Sequence, residues 1–294
     1  RQMCIRDRAK LIKKNFIKTI EIIPSRYKID NLFLNKVLKY SKSFDFIDLA
    51  CAPMANLRIS PISFAHNLIM KGIDPKKIII NISVRDKNSL ALQSDILGVS
   101  SMKIKNLLLV RGDPISIGNS KKSKEVFELN TNDLISLVAK LNKGRDYSGN
   151  KMNYKPGFAI GSTLNIDLPI EKIKRNLRNR EKIGSNFFIT QPLYSERDFV
   201  NLCELSCTSS SKILAGIFPI KNIRTLNNLN NKINGINKNN PLFKNLKRAN
   251  EKDFQKISSS YLVNLLMKYK KDLDGVHIMT AGDLKVASKL SEKI

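Results

Sequence analysis

A single glutamate set among isoleucines is the first residue to invite a chemical reading. In Ile17-Lys18-Thr19-Ile20-Glu21-Ile22-Ile23-Pro24, strand alternation puts Glu21 on one face with Ile17 and Thr19, opposite Ile20 and Ile22. A carboxyl in apolar surroundings keeps its proton to higher pH and can act as a general acid, whereas at a strand edge it would be a surface ion-pair partner. A second constellation follows the aliphatic run Asn106 to Val110, which leads straight into Arg111-Gly112-Asp113-Pro114. A cation and a carboxylate there flank a backbone-permissive glycine, as in a ligand-facing turn or a tight turn closed by its own ion pair. Gln191, in phase with Phe187 and Ile189, offers a neutral amide able to read the donor and acceptor pattern of a heterocycle. Gly161-Ser162-Thr163 and Asn165 close another apolar run, where a glycine marks either close approach by a ligand or a bulge.

Other reactive residue types point away from their usual chemistry. Cys203 and Cys207 stand in a C-x-x-x-C spacing, but no nearby histidine or second cysteine pair completes a zinc site. Of the two histidines, His66 falls in a helical pattern and His277 in an apolar strand. Both read as packing residues, which disfavours a histidine triad or a histidine metal centre.

The elements that must position these groups follow from period and punctuation. Strand-like runs occur at Ile17–Ile23, Asp45–Ala50, Lys77–Val84, Asn106–Val110, Gly157–Thr163, Asn186–Thr190, Lys212–Phe218 and Asp274–Met279. Between them lie helical patterns, including Pro61–Lys71, Ser89–Leu97, Asn132–Leu141, Pro169–Ile183, Glu196–Leu205 and Asp253–Lys270. Eight such strand-and-helix units predict an α/β fold of the (β/α)8 TIM barrel type, with a doubly wound sheet as the alternative. Against the alternative, no G-x-G-x-x-G follows the first strand and no P-loop signature occurs. In such a barrel the reactive residues belong at the C-terminal ends of the strands, which is where Glu21, Asp113 and Gln191 fall. Two excursions interrupt the repeat, Gly112–Thr131 and the Asn- and Lys-rich Asn227–Glu251, the second predicted to be a surface loop. No linker splits residues 16–294, which read as one domain behind a non-family or disordered segment, 1–15.

Composition bounds the rest. With 294 residues, 42% of them hydrophobic and 26% charged, the chain has enough apolar content for a core, which excludes disorder. No apolar run is long enough for a membrane span, and four scattered cysteines make no disulfide framework, so a cytoplasmic protein is expected. The formal charge of +27 would fit a polyanion partner, yet the basic residues are scattered and not interleaved with aromatics. Lys, Asn and Ile are together abundant and share A/T-rich codons, so base composition accounts for much of the charge without nucleic acid.

Four segments taken in order, Glu21-Ile22-Ile23-Pro24, Leu109-Val110-Arg111-Gly112-Asp113-Pro114, Phe188-Ile189-Thr190-Gln191-Pro192 and Asp274-Gly275-Val276-His277-Ile278-Met279, resemble the methylenetetrahydrofolate reductase family. Val84-Arg85-Asp86-Lys87-Asn88 and Leu92-Gln93-Ser94-Asp95 bring the chain nearest to a short prokaryotic branch made of the catalytic barrel. The resemblance implies an FAD-dependent barrel that reduces 5,10-methylenetetrahydrofolate to 5-methyltetrahydrofolate, with NAD(P)H or another donor, in a homo-oligomer without nucleic-acid or membrane partners. It implies Glu21 as general acid, Asp113 as the carboxylate beside flavin and pterin, and Gln191 as the amide that contacts folate. It further places Asn81, Arg111, Gly112, Gly161, Ser162, Asn165 and Arg180 near the cofactor. Ile223 stands where better-known members carry an aromatic residue for folate or nicotinamide, Ala50 where they carry threonine, and Asn81 where they often carry histidine. The alternative function is a non-catalytic folate- or flavin-binding subunit of a methyltransferase assembly.

Overall fold

The computed structural model describes residues 16–232, 236 and 239–294. The separate segment expected at 1–15 lies outside the described residues.

Eight parallel strands close into a barrel in sequence order: β1 (Ile17–Ile22), β2 (Phe46–Leu49), β3 (Ile78–Ser83), β4 (Asn106–Val110), β5 (Ala159–Leu164), β6 (Phe187–Pro192), β7 (Lys212–Ile217) and β8 (Gly275–Ile278). Ten α-helices accompany them among the described residues: α1 (Asn31–Tyr40), α2 (Pro61–Met70), α3 (Ser89–Ser101), α4 (Thr131–Asn142), α5 (Ile170–Ile183), α6 (Glu196–Thr208), α7 (Ile223–Lys232), α8 (Pro241–Arg248), α9 (Phe254–Tyr269) and α10 (Leu284–Lys293). The predicted α/β TIM barrel is therefore the observed fold. Its helices start where side chains satisfy the free N–H groups: Asp30 caps α1, and Asn130 with Asp133, like Ser195 with Asp198, forms a reciprocal capping box.

Alternation along each strand divides the apolar residues in two. One set, including Ile20, Ile22, Ile80, Leu107, Phe188 and Val276, joins the helices in the main core. The other points inward, where Ile79, Leu108, Ile189 and Leu214 pack with Ile17, Phe46, Val110 and Phe187 in the lower lumen. The same phase turns Thr19, Glu21, Asp48, Asn81, Ser83 and His277 inward above that floor. At the seam, Asp274 is buried; its carboxylate accepts from Ile213 N at 3.0 Å and its carbonyl from Ile17 N at 3.1 Å, tying β7, β8 and β1 together.

Two expectations need correction. The segment Asn227–Glu251 is not a surface loop: the end of α7 and all of α8 lie in it, and Leu229, Leu242, Phe243 and Leu246 are buried there with Tyr194, Leu226 and Leu262. Its polar composition conceals a narrow apolar stripe, which suffices because only one face of each short helix is covered. His66 is not a packing residue either, since it lies on the exposed face of α2.

Candidate functional site

Glu21 ends the inward face of β1, in register with Asp48 of β2, so two carboxyls stand side by side at the upper lumen. Burial first, and then the nearby Asp113 carboxylate, push the Glu21 carboxyl up to about 7. It is thus an acid poised to give or take a proton near neutrality. Asp48 is also pushed well upward, by burial and then by Glu21, with the Asn81 amide opposing the shift.

Asp113 arrives from the turn after β4, and that turn is built from its neighbours. Gly112 has φ +85, and a Cβ there would stand 2.3 Å from Ser83 Oγ and 3.0 Å from Arg85 Cβ, so any other residue would be strained and would push the Ser83 hydroxyl aside. Ser83 Oγ donates to Arg111 O at 3.3 Å and accepts from Arg85 N at 3.2 Å. The buried Arg85 guanidinium grips both Asp86 carboxylate oxygens at 2.7 Å and donates to Asp113 O at 3.0 Å. The Asp113 side chain then accepts from Met54 N at 2.6 Å. Met54 belongs to a turn in which Ala52, Met54 and Ala55 all have positive φ, an arrangement costly for non-glycine residues and held in place by such contacts. Among the described residues Asp113 makes no ion pair with Arg111, whose guanidinium lies 4.7 Å from the centre of the Phe127 ring. The turn is therefore closed through β2 and β3, not by its own charges.

The other expected residues fall into two groups. Asn81 shares the lumen face with Glu21, and among the described residues its buried Oδ1 has no hydrogen-bond donor. Gln191 lies at the end of β6, where the register with β7 shifts between Ile189 and Pro192, so the strict phase with Phe187 and Ile189 is broken there. Away from the lumen, Ser162 is fully buried and faces the helical layer, where Arg180 of α5 donates to its Oγ at 2.8 Å and to Thr163 O at 2.6 Å. Arg180 also reaches Asn132 Oδ1 at 3.2 Å, so its guanidinium is engaged by three groups and ties β5 to α4. Gly161 faces the lumen, but a Cβ there would come 2.2 Å from the Phe187 ring, which fills that space. Asn165 holds the turn after β5 by accepting from Asp167 N at 2.8 Å. Ile223 opens α7 on the same side of the barrel, exposed, with its N–H donating to Glu251 Oε1 at 3.0 Å. A cavity of about 230 Å³ beside the ends of β1 and β8 is lined by Ile23, Pro24, Ser25, Phe33, Arg58, Ala281 and Gly282.

Sequence reasoning gave no role to Asp48, Arg85 or the Met54 turn. An acid at the inward phase of Phe46-Ile47-Asp48-Leu49 was the available signal for the first; nothing in the glycine-free Ala52-Pro53-Met54-Ala55 announces left-handed backbone. Among the described residues no cluster of three or more His, Cys, Asp or Glu could hold a metal ion, and no helix is long and apolar enough to cross a membrane.

Comparison with known proteins adds a family to this geometry. The family model described as methylenetetrahydrofolate reductase matches residues 6–294. No curated protein matches. Among solved structures, EDTA monooxygenase (EmoA) from Chelativorans sp. BNC1 is similar with a TM-score of 0.55 and 10% identity, over 95% of this chain and 92% of that one. Oxaloacetate acetylhydrolase in complex with 3,3-difluorooxalacetate is similar with a TM-score of 0.51 and 10% identity, over 94% of this chain and 79% of that one. At such identities the two structures speak for the barrel alone.

Proposed function

The chain belongs to the methylenetetrahydrofolate reductase family, and from that premise we propose that it reduces 5,10-methylenetetrahydrofolate to 5-methyltetrahydrofolate with FAD as its redox group. The observation that carries the reading is Glu21, an inward carboxyl pushed up to about 7 beside Asp113 at the C-terminal end of the barrel. FAD would supply the hydride that completes the methyl group. The residues at the mouth fit a flavin: the buried Asn81 Oδ1 lacks a donor, and a flavin ring presents an N–H to an acceptor so placed. Asn81, Arg111, Gly112 and Asp113 would hold it from β3 and β4, and Asn165 from the turn after β5, while Arg180 braces that strand through Ser162 and Thr163 from the helical side and the Phe187 ring covers Gly161.

Glu21 gives its proton to N10 of the substrate; the N10–methylene bond breaks, its electron pair stays on N10, and the methylene carbon remains as an electrophilic iminium on N5. An acid with a pKa near 7 is matched to that task, since a large share of it keeps its proton at neutral pH and gives it up readily. Asp113, fixed by Met54 N–H, holds the pterin, and Gln191 reads its edge. Ile223, at the rim, borders the folate. NAD(P)H or another donor uses the same mouth before the folate, and a basic surface favours the carboxylates and phosphates of these ligands. The working protein is a homo-oligomer in the cytoplasm, serving one-carbon and methionine metabolism.

Visible absorption tests the reading. Purified protein loaded with FAD should bleach on anaerobic addition of NADH and regain colour with methylenetetrahydrofolate. Colour that never returns with folate would favour a non-catalytic binding subunit, and a protein that takes up no FAD would end the enzyme reading.

A further inference from the structure

The lumen holds a second acid that the proposed reaction does not use. Asp48 is 1% exposed, and among the described residues its Oδ1 has no hydrogen-bond partner. Its Oδ2 lies 3.7 Å from His277 Nε2. The state of that imidazole is set by its other nitrogen. Thr19 Oγ1 lies 3.2 Å from Val276 O, which can only accept, and 2.8 Å from His277 Nδ1; with the hydroxyl proton on Val276 O, Thr19 accepts from the ring and the imidazole proton sits on Nδ1. Burial holds His277 down to about 3, so the ring is neutral at any working pH and Nε2 presents a lone pair. A carboxylate opposite that lone pair would set acceptor against acceptor in a site away from solvent, and buried polar groups left this way are costly. A carboxylic acid removes that repulsion by turning its O–H toward Nε2.

The charges around Asp48 act in the same direction, against the one opposing influence of the Asn81 amide. Facing it are Thr19 and Glu21 from β1, Asn81 from β3 and His277 from β8, with Asp113 beyond Glu21. No cation is among them, and two adjacent buried carboxyls resist double ionisation. The hydroxyl, imidazole and carboxyl in series look like a nucleophile's triad, but Thr19 is fully buried with its proton committed to Val276, so no substrate can be attacked from there.

We propose that Asp48 is a positioning residue for Glu21: it keeps its carboxyl proton through the working pH range, turned toward His277 Nε2, so that Glu21 alone of the two register-paired acids exchanges a proton with substrate. The inference rests on the role given to Glu21 above, but the proton on Asp48 can be observed without turnover. The experiment is infrared spectroscopy of the full-length flavin-loaded protein, labelled with carbon-13 at aspartate carboxyls. An isotope-shifted carboxylic-acid C=O band should persist at about pH 8 and vanish in Asp48→Asn. Should that variant not fold, His277→Gln should shift the frequency of the same band by changing its acceptor. Absence of the band in the unsubstituted protein at neutral pH overturns the proposal. A second readout is the pH profile of folate-dependent reoxidation. Asp48→Asn, whose amide can donate where the acid does, should move the Glu21 midpoint by less than about half a unit, because no charge is removed. A fall of about one unit or more would show that Asp48 had been ionised, and the proposal would fail even if the reaction assigned to Glu21 stands.

Discussion

The lower and upper halves of the lumen are made by the same strands in the same alternation, yet they place different demands on their side chains. Below, Ile79, Leu108, Ile189 and Leu214 touch one another with Ile17, Phe46, Val110 and Phe187 around them, and any apolar set of the right volume would serve. Above, Thr19, Asp48 and His277 are joined or opposed atom by atom, and Glu21 takes its acidity from what surrounds it. Dispersion contacts are numerous and interchangeable, while hydrogen-bond partners are few and directional. Stability should therefore respond chiefly to the floor, and chemistry to the layer above it.

The largest effect that would sharpen this contrast is kinetic. Glu21→Gln, nearly isosteric, should slow folate reduction by about 10²- to 10⁴-fold while leaving bleaching by the electron donor in place, as stopped-flow absorbance of the two half-reactions would show. Unchanged folate turnover would remove Glu21 from the mechanism. Next comes the floor: Leu108→Ala should cost about 2–5 kcal/mol in denaturant unfolding, with the folate half-reaction of the folded fraction retained. Should the rate collapse instead, the two halves are not separable. A third effect has the opposite sign from the usual acid case. The folded pKa of Glu21 is raised, so the folded form holds a proton that the unfolded form has already released, and stability drains away as pH rises from the unfolded value through about 7. Glu21→Gln should thus gain on the parent by about 3 kcal/mol between pH 4 and pH 8, measured as the pH dependence of the unfolding midpoint. His277 acts the other way, its contribution being lost as pH falls from 6.5 toward 3. The smallest change is Gly161→Ala, whose methyl would meet the Phe187 ring at the boundary of the two halves and cost about 1–3 kcal/mol by thermal melting. A neutral result would mean that the ring moves aside freely.

The barrel was legible because aliphatic runs of strand length recur with helical patterns between them, and Glu21 could be placed inward from its phase with Ile17 and Thr19 alone. What escaped was set by partners distant in sequence. Asp48 between Ile47 and Leu49 looks like one more strand position until β1, β3 and β8 surround it. Packing describes the burial of His277 and is silent on its link to Thr19. Asn-rich composition hid α8, because Leu242, Phe243 and Leu246 are three apolar residues in a polar stretch. Arg180 could be matched to a cofactor position by sequence, but its grip on Ser162, Thr163 and Asn132 depends on how α5 and α4 lie against β5.

The bond between Thr19 and His277 spans 258 residues and crosses the seam between the first strand and the last. During synthesis β1 leaves the ribosome well before β8, so until β8 emerges the first strand has an open edge and its glutamate sits in water with an ordinary carboxyl's acidity. Only when β8 is inserted does the wall close around it and the proton become hard to lose. Closure of the barrel and activation of its acid are then one event, and a nascent barrel missing its eighth strand carries the right residue without the reactivity.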